Sequence, residues 1–258
     1  MKRLAISLFF TLFISQTANA SVIALFGDRG EKNTVANKLM SLGHTVTTFG
    51  TNINGDLSVY DSVWGISAFD PLSTSEQTVL SNYLASGGGL YLTGERPCCE
   101  TLNSSLTSFV NGVLDAPTVQ IGGLGDAGSV GYINPTVVGN LANLPNTVTT
   151  WSPNASGGIS GVLANNVFAS TATNVTNAAA WDMDDLVGDA GRLVVMMDVN
   201  WHTNGQLDLL ENIEVFLSSA SILQQTPTPQ VNVSAPTNSV YMLLGLAGIV
   251  MMRRKKRA

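Results

Sequence analysis

The residues best equipped for chemistry are a vicinal pair, Cys98 and Cys99, the chain's two cysteines, with Glu95, Arg96 and Pro97 ahead of them and Glu100 behind. A thiol attacks or ligates only as its thiolate, which positive surroundings stabilise. Pro97 suits the first turn of a helix, so both sulfurs should lie near a positive helix N-terminus. Arg96 adds to that field, whereas Glu95 and Glu100 oppose it. A base could come from His44 or His202, the only two histidines. His44 starts a stretch of β-branched alternation expected to be a strand and reads as structural. With His202 as base, Cys98 or Cys99 would form a hydrolase dyad, with Glu95 as the further catalytic candidate. Two other readings stay open. In an oxidising compartment the cysteines would be paired, but adjacent Cα atoms lie about 3.8 Å apart, below the usual ~4.4 Å minimum, so a Cys98–Cys99 disulfide would be strained. The thiols could also be structural or directed at a partner.

A second concentration of chemistry is the stretch WDMDDLVGD, where Asp182, Asp184 and Asp185 could offer oxygen ligands to Ca²⁺. The spacing lacks the Gly and Glu of a calcium-binding loop, and a solvated turn is the competing reading. The glycine-rich run 122–128 (GGLGDAG) has no lysine and no strand-to-helix context for a phosphate loop, and reads as a flexible turn.

These residues need elements to position them. Val22 to Phe26 is a continuous apolar run ending at Gly27-Asp28, as expected of a strand buried on both faces. Asn33 to Leu42 carries Val35, Leu39 and Leu42 at helical spacing, and Gly43 stops it. Strands are expected over His44–Phe49, Asp61–Ile66, Leu90–Thr93 and Arg192–Val199. Helices are expected after Ser73 or Thr74, over Leu102–Val113, and over Leu207–Leu217. Strand alternating with helix implies an α/β fold with a doubly wound, mostly parallel sheet. Residues 116–188 are turn-rich, with short strand candidates at Thr147–Trp151 and Ala178–Trp181, and read as an irregular β-rich insertion. In open parallel sheets, sites form beyond the carboxyl ends of the strands. Those ends carry Asp28, Glu95 with the cysteines, and Asp198 with Asn200 and His202. Asp28, Glu95, Cys99, Asn200 and His202 are therefore expected around one ligand pocket.

The opening VIALFGD, the turn GGGLYLTGE at 87–95 and the closing GRLVVMMDVNW resemble the class I glutamine amidotransferase-like (flavodoxin-like) fold. The resemblance spans about 95 residues at the start and 30 at the end. It implies a fold and no catalytic residue, because the family's G-x-C-x-G elbow reads Gly94-Glu95-Arg96-Pro97-Cys98-Cys99 here, and His202 is followed by Thr203-Asn204 rather than x-Glu.

The chain's two ends concern destination. Lys2 and Arg3, the apolar run Leu4–Ile14 and Ala18-Asn19-Ala20 have the layout of a secretory signal over residues 1–20, with cleavage after Ala20. The globular domain then occupies 21–223, followed by a Pro/Thr/Gln/Asn linker at 224–238 and a tail at 239–258. That tail has thirteen apolar or small residues, Val240–Met252, and then five basic ones. As a helix the apolar run spans roughly 20 Å against a hydrocarbon core of roughly 30 Å, so it would cross only with help from its flanks. The basic cluster should stay cytoplasmic and leave the domain outside. Linker, short apolar helix and basic terminus resemble PEP-CTERM sorting signals, which implies processing by an exosortase-type peptidase. The motif position reads Val233-Ser234-Ala235-Pro236 in place of Pro-Glu-Pro.

Without these ends the core keeps all 18 acidic residues against five basic ones, a formal charge of −13 hidden by the whole-chain value of −6. Such a surface repels phosphate backbones and argues against nucleic-acid binding. The resulting expectation is an exported protein of the cell envelope, cell surface or extracellular matrix, membrane-held only through its tail, whose domain binds an unidentified ligand without catalysis. Its expected partners are a sorting peptidase and a surface or matrix component, and no cofactor is expected apart from possible Ca²⁺ at the acidic turn. Alternatives are a Cys/His hydrolase of an amide or ester, and a calcium-assisted adhesion module.

Overall fold

The computed structural model describes residues 20–116, 118–125, 128–204 and 206–224. Most of the stretch read as a secretory signal (1–19), the expected linker and sorting motif at 225–238 and the expected tail at 239–258 lie outside the described residues. Among the described residues, no helix is long and apolar enough to cross a membrane.

The chain opens with β1 (Val22–Phe26), α1 (Glu31–Ser41), β2 (Thr45–Thr48), β3 (Ser62–Gly65), α2 (Thr74–Ala85), β4 (Gly89–Gly94) and α3 (Glu100–Val113). Then come β5 (Gln120–Leu124), β6 (Gly131–Ile133), β7 (Thr150–Trp151), β8 (Gly158–Ser160), β9 (Val167–Ser170), β10 (Thr176–Trp181), β11 (Arg192–Met197) and α4 (Leu207–Gln224). Ser73 caps α2 through a capping box with Glu76, which satisfies two otherwise orphaned amides. Pro97–Cys99 form one 3₁₀ turn leading into α3, with Cys99 at the helix N-cap.

Nine strands form one sheet in the order β2-β1-β3-β4-β11-β10-β9-β6-β7. The five from β2 to β11 run parallel. Because side chains alternate across a strand, both faces must be covered. On one face, Ile23, Leu25, Trp64, Tyr91, Val194 and Met196 pack with Val35 and Leu39 of α1 and Leu210 and Ile213 of α4. On the other, Ala24, Phe26, Leu90, Leu92, Val195 and Met197 pack with Leu80 and Leu84 of α2 and Leu106 and Phe109 of α3. This is the doubly wound arrangement read from the sequence.

The 116–188 region is more regular than its turn-rich composition suggests. Four of its strands (β10, β9, β6 and β7) extend the same sheet in antiparallel fashion, and β5 pairs with β8 as a separate two-stranded ribbon. The start of the run at 122–128 is not a turn: Gly122 to Leu124 belong to β5, where Ile121 and Leu124 pair with β8 and the two glycines take up the register shift between them, Gly122 at φ +75°. The carboxyl ends of β1, β3, β4 and β11 share one rim, and the 3₁₀ turn Val199–Thr203 follows β11 there.

Candidate functional site

A cavity of about 220 Å³ opens on this rim. Its walls are Arg29 from the turn after β1, Ala68 and Phe69 after β3, Glu95, Arg96, Cys98 and Cys99 after β4, Asp198 to Asn200 after β11, and Asn154 and Ala155 from the inserted half. The strand-end rule thus brings Glu95, both cysteines and Asn200 together. Asp28 stands beside the cavity without lining it. Its carboxylate accepts the amides of Ala68 and Phe69 at 2.9 and 3.2 Å, and so fixes the wall that those residues form.

The Glu95–Cys99 turn is held by Asn103 of α3, which is buried. Asn103 Nδ2 donates to the carbonyls of Glu95 and Arg96 at 2.8 and 3.3 Å, while the Glu95 amide donates to Asn103 Oδ1 at 3.0 Å. Two glycines of the inserted half allow this packing. A Cβ at Gly122 (φ +75°) would lie 2.0 Å from Asn103 Nδ2, and one at Gly157 would lie 2.7 Å from the Glu95 carbonyl oxygen. Asp198 closes the far wall at φ +89°, a conformation costly for any residue but glycine. Its carboxylate compensates by accepting the amides of Asn154, Ala155 and Asn200, and its own amide donates to the Gly94 carbonyl at 2.7 Å.

Burial raises the Glu95 carboxyl above its ordinary range, and nearby Asp198 adds to this, while the Val199 amide (3.1 Å from Oε1) and Arg29 pull the other way. Burial also pushes the Cys99 thiol up to about 12, reinforced by contact with Cys98 and by Glu95, against a smaller opposing effect of Arg96. The helix N-terminus expected to favour a thiolate is present, but removal from water outweighs it. The two sulfurs lie 2.6 Å apart, with Cys98 exposed and Cys99 buried.

His202 does not join them. It is fully buried, and its ring packs on Trp201 at 4.2 Å and on Tyr91 at 5.7 Å, within the core beneath α1 and α4. Nδ1 lies 2.7 Å from the Val199 carbonyl, which can only accept, so Nδ1 carries the proton. Lys38 of α1 donates to the His202 carbonyl. Burial holds the imidazole down to about 3. The expectations of a Cys/His dyad and of His202 in the pocket are both corrected: an aromatic cage won the ring because the 3₁₀ turn after β11 directs it beneath the sheet. His44 accepts the Ser21 amide at 3.1 Å and is structural, as read.

The acidic turn does not gather its carboxylates either. Asp182 pairs with Arg192 at 2.7 Å, and Asp185 accepts from Asn166 Nδ2 and the Asp182 amide. Asp184 and Asp185 border a separate cavity with Asp115. Among the described residues, the one group of three potential ligands is Glu95, Cys98 and Cys99.

Sequence reading missed Asn103 and the site role of Arg29. A signal for Asn103 existed. It sits three and seven residues before Leu106 and Val110, on the apolar stripe of α3, where a buried amide must find partners.

No family model matches this chain, and no curated protein matches it. Solved structures do resemble it. A GMP synthase-like protein from Thermoplasma acidophilum shares 12% identity at a TM-score of 0.49, with 81% of this chain and 100% of that one covered. A ThuA-like protein from Parabacteroides merdae shares 10% at 0.48, covering 80% and 92%. The N-terminal domain of mmIFT52 shares 13% at 0.50, covering 78% and 96%. At such identities the likeness concerns fold alone. With the strand order 2-1-3-4, it assigns the domain to the flavodoxin-like α/β class that includes the glutamine amidotransferase-like folds.

Proposed function

We propose that this is an exported, envelope-sorted protein whose α/β domain binds a small ligand at the carboxyl rim of its parallel strands without catalysing a reaction on it. The observation that carries the binding half is the cavity itself, where polar groups from three strand ends converge beside the Ala68–Phe69 wall and are preorganised by Asn103 and Asp198. The non-catalytic half is supported by His202, whose imidazole is caged away from the cysteines, and by the raised Cys99 thiol, which resists becoming a nucleophile. Export and sorting rest on the two ends of the chain, read from their composition.

The test is native mass spectrometry of protein recovered from the envelope fraction of producing cells. A non-covalent adduct is expected, lost on denaturation and absent from Asn200→Trp, which fills the cavity. Turnover of a nitrophenyl ester or anilide that disappears in both Cys99→Ser and His202→Ala would overturn the reading in favour of a hydrolase.

A further inference from the structure

We propose that Glu95, Cys98 and Cys99 form a three-ligand site for a thiophilic divalent cation such as Zn²⁺, with a fourth position open to the cavity. This deepens the proposed function and rests on the cavity being a binding site. The carboxylate oxygen and both sulfurs lie within 4.8 Å of one another, and ligand atoms around a tetrahedral zinc are separated by roughly 3.4–3.8 Å, given bonds of about 2.0–2.3 Å. The sulfurs, 2.6 Å apart, must therefore open by about an ångström. Rotation of exposed Cys98 provides that movement while buried Cys99 stays in place.

Three further features favour a metal over the alternatives. Two sulfurs and one carboxylate are a soft donor set, which selects zinc-like ions over Ca²⁺ or Mg²⁺. A disulfide between neighbours would be strained and readily reduced, given a Cα spacing of about 3.8 Å across a trans peptide, and both cysteines are free in this structure. The ligands also have an outer shell: the Val199 amide orients the Glu95 carboxylate, and Asn103 clamps the backbone leading to the cysteines. On binding, each S–H bond breaks as an S–metal bond forms, and each thiol proton passes to solvent. Three protein ligands with an open position would present a water or small anion towards Asn200 and Arg29, which line the same cavity.

The experiment uses the reduced full-length chain. Competition with a chromophoric chelator should show one Zn²⁺ per chain, and Co²⁺ should give a thiolate-to-metal charge-transfer band. Cys98→Ser, at an exposed position, should weaken zinc at least tenfold and diminish that band. Glu95→Gln should weaken binding with the band retained, and Asp184→Ala should change neither. Failure of the wild type to bind zinc, or unchanged affinity in Cys98→Ser, would overturn the proposal. Organic fragments that bind at the cavity while zinc does not would overturn the metal site and leave the binding reading standing; absence of both would remove the two together.

Discussion

Asn103 and Glu95 form a reciprocal pair: the Glu95 amide donates to Asn103 Oδ1 at 3.0 Å, and Asn103 Nδ2 returns a hydrogen bond to the Glu95 carbonyl at 2.8 Å. A side chain of α3 thereby pairs the backbone of the residue immediately beyond β4, whose own last residue, Gly94, accepts the Asp198 amide. Asn103→Ala should orphan both buried groups and lower stability by roughly 2–3 kcal/mol. Urea denaturation measures this, and alkylation of Cys99 in the native state should accelerate in the same variant. A neutral substitution would mean that the turn is held by other contacts.

Thiol reactivity should divide sharply within the vicinal pair. In the reduced protein at neutral pH, iodoacetamide should modify exposed Cys98 first, and Cys99 should react at a comparable rate only after unfolding. His202→Ala should leave the Cys98 rate unchanged. Peptide mapping of alkylated protein reads both outcomes, and a fast Cys99 that slows in His202→Ala would restore the dyad.

Two fully buried groups give the domain opposing pH dependences. Burial raises Glu214, which accepts from Ser62 Oγ and Trp64 Nε1, from an ordinary 4.5 to about 7. Its contribution is fully present below 4.5 and is lost as pH rises to 7, because the native state then holds a proton that the unfolded state has released. His202 falls from 6.5 to about 3, so its contribution is present above 6.5 and is lost as pH drops towards 3. Between 4.5 and 6.5 the two slopes cancel. Glu214→Gln should remove one of them and make stability rise with pH across that window, by an amount on the order of 2–3 kcal/mol. Thermal melts at pH 4.5, 5.5 and 6.5 test it; matching profiles for variant and wild type would contradict it.

Calcium at millimolar concentration should leave the melting temperature unchanged, since Asp182 and Asp185 already have protein partners. Asp182→Ala should instead destabilise by about 1 kcal/mol by freeing Arg192, which also donates to the Phe216 carbonyl and stacks on its ring at 4.9 Å. A rise of several degrees with calcium that Asp184→Ala abolishes would revive the calcium reading.

For the two ends, mass spectrometry of exported protein should find Ser21 as the first residue, and an intact Met1 on that form would contradict the signal reading. Deleting residues 240–258 should release the domain from the membrane fraction. Retention of the truncated protein would mean that the tail is not the anchor.

The parallel half of the fold was legible because each of its elements carries a local signature. VIALF and RLVVMM are continuous apolar strands, and Leu102, Leu106 and Val110 repeat at helical spacing. The antiparallel half was legible only at β7 and β10, which fall on the candidates Thr147–Trp151 and Ala178–Trp181; β6 and β8 are three residues each and are stabilised by pairing rather than propensity. The site was half legible. Glu95, the cysteines and Asn200 follow apolar strands directly, so topology alone aims them at the rim. His202 follows the same strand by only a few more residues, yet a 3₁₀ turn is enough to reverse its direction. Residue spacing cannot encode that choice, which depends on the cage that Tyr91 and Trp201 offer.

The most direct measurement of the central claim is a fragment titration of isotope-labelled protein followed by amide chemical shifts. The account expects the perturbed amides to centre on residues 95–99 and 198–200, with Asn154 and Ala155 moving alongside, and Asn200→Trp to abolish the response. Perturbations centred instead on Asp115, Asp184 and Asp185, or none at the carboxyl rim, would contradict it.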